Sequence, residues 1–437
     1  MLKRAIAVLS INVLVFCVAA ELIALAIFYY QHGWLFYVDP YRHTYQLIPE
    51  TRDQALTAIG LHPYFGPTHR PGIPFDVPES LRSGPPSPPV ETNNFGFVST
   101  HNYPFIKQSN GQFVVGIFGG SVGAWFCQVG ASRLMEDLKR NAFFRNRDVI
   151  PLCLSHEGYK QPQQLLVLAY FLSIGQQFDL VINIDGFNEV ALSSLNDQQG
   201  WDISMPSVMH LDPLINLVNQ STMTPAKLDS LTRISHDKQQ LNQLAERINR
   251  NRLASIGFVL EQYYAIVDRK YRAELVNFDA LPSNPATSSV IHVTPKVRDR
   301  AGTAVFEDVA SNWAVSSMLM NEVLAVRGAA YFHFLQPNQY YTHRAFSAAE
   351  AKVALNEGSP FKPGAETGYP FLVQELESGA LKNSTVRVFN GVRIFDGERS
   401  PVYIDDCCHY TLAGNHILAD FIATSILASD GAWKRAN

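Results

Sequence analysis

Four short stretches of the chain carry the residue types that acyl-transfer chemistry needs. In VVGIFGGSVGAWF (114–126) an apolar run meets two glycines and then Ser121. A serine hydroxyl is a weak nucleophile, so it needs a base within hydrogen-bond reach, a group that orients the base, and donors aimed at the developing oxyanion. YIDDCCHYTLAGNH (403–416) offers base and orienting group: His409 follows Asp406 by three residues, with Asp405 also available. CLSHEGYKQP (153–162) offers a backbone N–H at Gly158, and NIDGFNEV (183–190) a side-chain amide at Asn188. Singly, each has a plainer reading: a tight turn for Gly-Gly-Ser, a helix cap for Asn188, a core or surface histidine for His409. Their order and placement join them.

The elements that must position them follow from hydrophobic periodicity. Val114–Phe118 reads as a strand, 147–154 as a second apolar run, 161–174 as a helix and Phe178–Ile184 as a strand buried on both faces. The alternation returns with a helix over 312–327, strands over 329–335 and 385–389, and a closing helix over 411–427. This βαβ grammar predicts a parallel sheet with helices on both faces, and in such folds sites form at the carboxyl ends of the strands. All four stretches sit at such an end. Between Val190 and Val305 the alternation stops. There Leu241, Leu244, Ile248, Ile256, Leu260, Tyr264, Val267 and Tyr271 recur at helical spacing, which predicts an amphipathic helix or helix pair packed on the core as a cap. Residues 61–90 hold nine of the 25 prolines, including SGPPSPPV, and read as a stalk or surface wrap.

The set resembles the SGNH (GDSL-type) hydrolase superfamily, and in particular its bacterial membrane-anchored members. Ser121 in FGGSVGA matches the nucleophile block, Gly158 the glycine block, Asn188 in DGFNE the Gly-x-Asn block, and Asp406 with His409 the Asp-x-x-His block. NNFGF (93–97) and LQPNQYY (335–341) are similar to those members too. The resemblance implies a three-layer α/β/α, flavodoxin-like fold. It also implies a Ser121–His409–Asp406 triad, with the Ser121 N–H, the Gly158 N–H and the Asn188 amide binding the oxyanion. Two positions depart from the pattern: Gly120 replaces the Asp of Gly-Asp-Ser, and Glu189 replaces the Asp that often follows the Asn. The domains expected are an anchor (1–37), the Pro-rich stalk (38–92), the hydrolase-like domain (93–189 and 306–437) and the largely helical insertion (190–305).

Composition narrows the partners. A formal net charge of −4, a pI near 6.4 and the lack of any Lys/Arg-rich run argue against nucleic acid. Ala5–Tyr30 is apolar except for Ser10, Asn12 and Glu21, long enough to span a bilayer, with Phe28, Tyr29, Tyr30 and Trp34 at its outer edge. Lys3 and Arg4 precede it and no basic residue follows until Arg42, which predicts a cytoplasmic N-terminus and an extracytoplasmic remainder at the inner membrane. A cleaved signal peptide at Val18-Ala19-Ala20 is the competing reading. Glu21 within the span marks either a helix partner or a neutral or snorkelling carboxyl. Of five cysteines, 127, 153, 407 and 408 fall in the exported part, where three pairings are open; a bridge between the neighbours 407 and 408 would be strained, so at most one of them is expected to pair with Cys127 or Cys153.

Other chemistries fit less well. Gly119-x-Ser121-x-Gly123 also satisfies the nucleophile elbow of α/β-hydrolases, but no His-Gly-Gly motif precedes it. The glycines do not make Gly-x-Gly-x-x-Gly, and Cys407, Cys408, His409 and His416 lack the spaced cysteine pair of a metal site. The expectation is a serine ester hydrolase needing no cofactor and no metal. Its substrate would be an acylated cell-envelope or exported glycan, with possible envelope protein partners. An O-acetyltransferase using the same acyl-enzyme, or an inactive scaffold or glycan-binding subunit, is the alternative.

Overall fold

A computed structural model of the chain describes residues 2–33, 35–37, 59–75, 77–78, 81, 89–218, 223–282, 284 and 291–434. Two compact units emerge. One comprises residues 1–57 with 216–292; the other comprises 58–215 with 293–437. The stretch 190–305 is thus shared between them instead of forming one insertion.

The larger unit opens with two short antiparallel ribbons, β1 (Ile59–His62) with β2 (Gly66–His69) and β3 (Pro74–Phe75) with β4 (Val90–Glu91). They occupy part of the Pro-rich stretch, most of whose remainder, including nearly all of SGPPSPPV, lies outside the described residues. Phe65, at the β1–β2 turn, is buried beside Phe97, Tyr170 and Phe171, and its carbonyl accepts from Gln163 Nε2 at 2.5 Å. This part of the stretch is therefore a wrap on the core.

Five strands follow: β5 (Gln112–Gly119), β6 (Asp148–Ser155), β7 (Leu180–Asp185), β8 (Ala330–Leu335) and β9 (Arg387–Asn390). All pair in parallel, in the order β6-β5-β7-β8-β9. Within the sheet this is the doubly wound order 2-1-3-4-5, whose chain reverses direction of growth between β5 and β7. Successive side chains of a strand point to opposite faces, and β5 shows it. Phe113, Val115 and Ile117 enter one core with helices Ser121–Val129, Ala131–Leu138 and Leu412–Ala428. Val114 and Phe118 enter the other, with helix Gln163–Ser173. Burial on both faces explains why these strands read as largely apolar runs.

The smaller unit is helical. Leu2–His32 is one helix, within which Val8–Tyr30 is long and apolar enough to cross a membrane. Trp34, expected at its outer edge, lies outside the described residues. Pro225–Arg250 and Ala254–Ala280 form the expected helix pair, joined by a short turn at Asn251–Leu253. Leu241, Leu244, Ile248, Tyr264, Val267 and Tyr271 are its buried seam with Leu260 packed against it, whereas Ile256 is exposed. Glu21 has a helix partner: its carboxylate accepts from the Ala254 and Ser255 N–H groups at 2.6 and 3.0 Å and from Ser255 Oγ at 2.6 Å. An acidic side chain on the orphan N–H groups of a helix start is a favourable cap.

Candidate active site

Ser121 is the first residue of the Ser121–Val129 helix, entered directly from the end of β5. That abrupt strand-to-helix turn needs small residues. Gly119 has φ +154, and a Cβ there would meet the Ile184 carbonyl oxygen at 2.3 Å. A Cβ on Gly120 would stand 2.1 Å from Asn188 Nδ2. The departure from Gly-Asp-Ser thus has a physical reason: the Asn188 amide occupies the space a side chain at 120 would take.

His409 arrives from the loop before the Leu412–Ala428 helix, and its Nε2 lies 2.7 Å from Ser121 Oγ. Its Nδ1 lies 2.5 Å from Asp405 Oδ2. The partner is therefore Asp405 and not the expected Asp406, whose carboxylate turns away to accept from Asn356 Nδ2 at 2.6 Å. The turn itself decides between the two neighbours. Asp405 Oδ1 accepts the N–H groups of Cys407, Cys408 and His409 at 3.0, 3.1 and 3.2 Å, which folds the loop back so that Oδ2 meets the imidazole. Burial alone would raise the Asp405 pKa, but the bonds to the His409 ring and to the loop N–H groups outweigh it and hold the carboxyl below its ordinary value.

Residues that sequence reasoning did not assign to the site hold this loop from outside. Asn338 Nδ2 donates to the Cys407 carbonyl at 3.1 Å, Gln339 Nε2 to the Asp405 carbonyl at 3.1 Å, and Tyr340 Oη to the Asp406 carbonyl at 2.7 Å. All three belong to LQPNQYY, which follows β8, so the signal was present in the sequence without its meaning.

Of the oxyanion candidates, Asn188 lies beside the turn that carries Ser121. Asn188, in the first turn of the helix after β7, donates Nδ2–H to the Tyr159 carbonyl at 2.8 Å while lying against Gly120. An amide has two N–H donors, so one remains. Gly158 adjoins Tyr159, takes φ +74, and is covered by the His210 ring. Ser121 and Asn188 thus follow β5 and β7, the two strands that flank the switch point, where doubly wound sheets hold their ligands. Ser121 is 9% exposed and the His409 side chain 18%, so the pair meets solvent at one edge.

Glu189, the second departure, does not face the serine. Its carboxylate accepts from Gly186 N at 2.7 Å and Gln161 N at 2.9 Å, capping its own helix. Burial and the Asp185 charge push its pKa up to about 8. A second hydroxyl–imidazole–carboxylate chain runs nearby: Ser317 Oγ to His333 Nδ1 at 2.7 Å, and His333 Nε2 to Asp185 Oδ1 at 2.6 Å. All three residues are at most 1% exposed, which leaves no approach for a substrate; Trp313 Nε1 donates to the same oxygen at 2.7 Å and completes a structural network.

Cys127 pairs with Cys153, tying the helix that begins at Ser121 to β6. Cys407 and Cys408 pair with neither and are free, their Sγ atoms 3.1 Å apart, and Cys408 is buried beside Ser121.

No protein-family model matches this chain, and no curated protein matches it. Among solved structures, the crystal structure of the lipase Lip_vut3 from a goat rumen metagenome is similar at a TM-score of 0.33 and 10% identity. The match covers 72% of this chain and 97% of the lipase.

Proposed function

We propose that the protein is a membrane-anchored serine ester hydrolase of SGNH type, acting through Ser121, His409 and Asp405. The observation that carries the reading is the continuous chain from Ser121 Oγ to His409 Nε2 at 2.7 Å and from His409 Nδ1 to Asp405 at 2.5 Å. In this reading the Nδ1–H donates to Asp405, which leaves the Nε2 lone pair to take the serine proton as Oγ attacks the acyl carbonyl. The Ser121 and Gly158 N–H groups and the free Asn188 N–H receive the oxyanion. His409 then returns the proton to the leaving alcohol, and water resolves the acyl-enzyme by the same route in reverse. Asp405 keeps the imidazolium oriented and stabilised without taking its proton.

The apolar helix, with Lys3 and Arg4 before it, supports a single-pass inner-membrane anchor and a catalytic unit outside the cytoplasm. Acylated envelope or exported glycans are the substrate class such a tether can reach. The test is mass spectrometry of the detergent-solubilised chain after fluorophosphonate treatment. One adduct on Ser121, lost in His409→Ala, is expected; no adduct on folded protein overturns the assignment. Release of free acetate from acetylated glycan identifies a hydrolase, and transfer to an added sugar acceptor identifies the transferase alternative.

A further inference from the structure

We propose that the larger unit holds a second centre, a site for one divalent cation of the zinc class, ligated by His69, His156 and Glu157. His69 ends β2, whereas His156 and Glu157 leave the end of β6 directly before Gly158. His69 Nε2 stands 3.1 Å from Glu157 Oε2, and His156 Nδ1 stands 3.4 Å from the same oxygen. The two imidazole centroids are 4.4 Å apart, and one donor atom from each of the three residues lies within 4.8 Å of the others. Zinc bound tetrahedrally at about 2.0–2.1 Å spaces its donor atoms by ~3.3 Å, so two edges of such a shell are already close to size.

The three side chains grade from buried to partly exposed: His156 at 2%, His69 at 12% and Glu157 at 30%. His156 Nδ1 also meets the Glu157 carbonyl at 3.0 Å. His156 Nε2, His69 Nδ1 and Glu157 Oε2 are buried, and none makes an aligned hydrogen bond among the described residues. Both rings crowd one carboxylate oxygen, and a cation seated between His69 Nε2, His156 Nδ1 and Glu157 Oε2 would draw on all three, with the opposite nitrogens His69 Nδ1 and His156 Nε2 outside its shell. His210, its Nδ1 3.1 Å from Ser207 Oγ, lays its ring over Gly158 and shelters the loop. Three protein ligands leave the fourth position to water.

Donor atoms of Cys407, Cys408 and His409 also lie within 4.8 Å of one another. There, however, both ring nitrogens of His409 are engaged by Ser121 and Asp405. An ion at that place would dismantle the triad, whereas one at His69, His156 and Glu157 ties the β1–β2 ribbon to the loop that carries Gly158. Its role is to position that loop.

The experiment uses the full chain in detergent, stripped with chelator, in a Cys407→Ser/Cys408→Ser background. Zinc is titrated by calorimetry, cobalt by absorption, and thermal unfolding is followed with and without zinc. Expected are one equivalent of zinc, cobalt d–d bands without thiolate charge transfer, and a zinc-dependent rise in Tm. His69→Ala and the isosteric Glu157→Gln should each weaken binding at least ~100-fold and abolish the Tm rise while the far-ultraviolet spectrum is kept. No binding by the folded chain overturns the site, as does binding that both variants leave unchanged or that appears only when the cysteines are restored. None of these readouts depends on ester hydrolysis.

Discussion

Replacing Asp405 by Asn separates the two adjacent carboxylates more sharply than any other change. Asparagine in the same rotamer keeps Oδ1 on the N–H groups of Cys407, Cys408 and His409, so the loop should stay folded. Oδ2, 2.5 Å from His409 Nδ1, becomes an NH2 group that can only donate. The imidazole then turns its Nδ1 lone pair to the amide and carries its proton on Nε2, where it cannot accept from Ser121. A wrong tautomer with geometry intact lowers kcat by about 10⁴ in a serine triad, or about 5.5 kcal/mol of transition-state stabilisation. Asp406→Asn removes only the charge from a bond to Asn356, worth about 1 kcal/mol and so about a fivefold change at most. Hydrolysis of p-nitrophenyl acetate by both variants, with Ser121→Ala as the blank, reads the difference. Equal losses in the two, or an Asp405→Asn variant retaining a tenth of the parent rate, would refute the assignment.

Gly120→Ala, whose Cβ would lie 2.1 Å from Asn188 Nδ2, should displace that amide and lower kcat by ~10²–10³ with little change in KM. Asn188→Ala should match it, and the double variant should be no worse than either, which a double-mutant cycle measures. Removing the Cys127–Cys153 bridge, whose ends are 26 residues apart, should cost about 3.5 kcal/mol and roughly 5 °C in the Tm of the larger unit, read by calorimetry. Because the folded Asp405 pKa is held below its unfolded value, its contribution to stability is fully present above the ordinary aspartate value of about 3.9 and is lost as pH falls through the lowered one. Thermal melts should therefore show the parent ahead of Asp405→Asn above about pH 4, with the gap closing in stronger acid; a gap that widens on acidification contradicts the ion pair.

The sheet was legible because its strands are buried on both faces and so are mostly apolar, Asn183 and His333 aside: the runs at 114–118, 178–184 and 329–335 each fall within one or two residues of a strand. That Ser121, Asn188 and His409 lie together was legible because each follows a strand end or precedes a helix. Asp405 against Asp406 was not, since sequence spacing does not say which of two adjacent carboxylates captures the N–H groups of its own turn. The Asn338–Tyr340 clamp was hidden for a related reason, because its side chains bond carbonyls, which every residue has. Nor could spacing bring His69 to His156, as their meeting depends on how the Pro-rich wrap crosses the core. The split of 190–305 between two units was equally hidden, because the helical pattern there is the same whichever unit it serves.

The separation of 288 positions between Ser121 and His409 also sets a timetable. A ribosome adding roughly 5–20 residues per second completes the β5 turn, and with it the proposed nucleophile, some fifteen seconds to a minute before it makes the proposed base. Until the last helix docks against Ala131–Leu138, the newborn chain carries a serine with no acceptor for its proton. A chain truncated between residues 121 and 408 keeps the serine and lacks its proposed base, so on the proposed mechanism reactivity waits for the last part of the polypeptide.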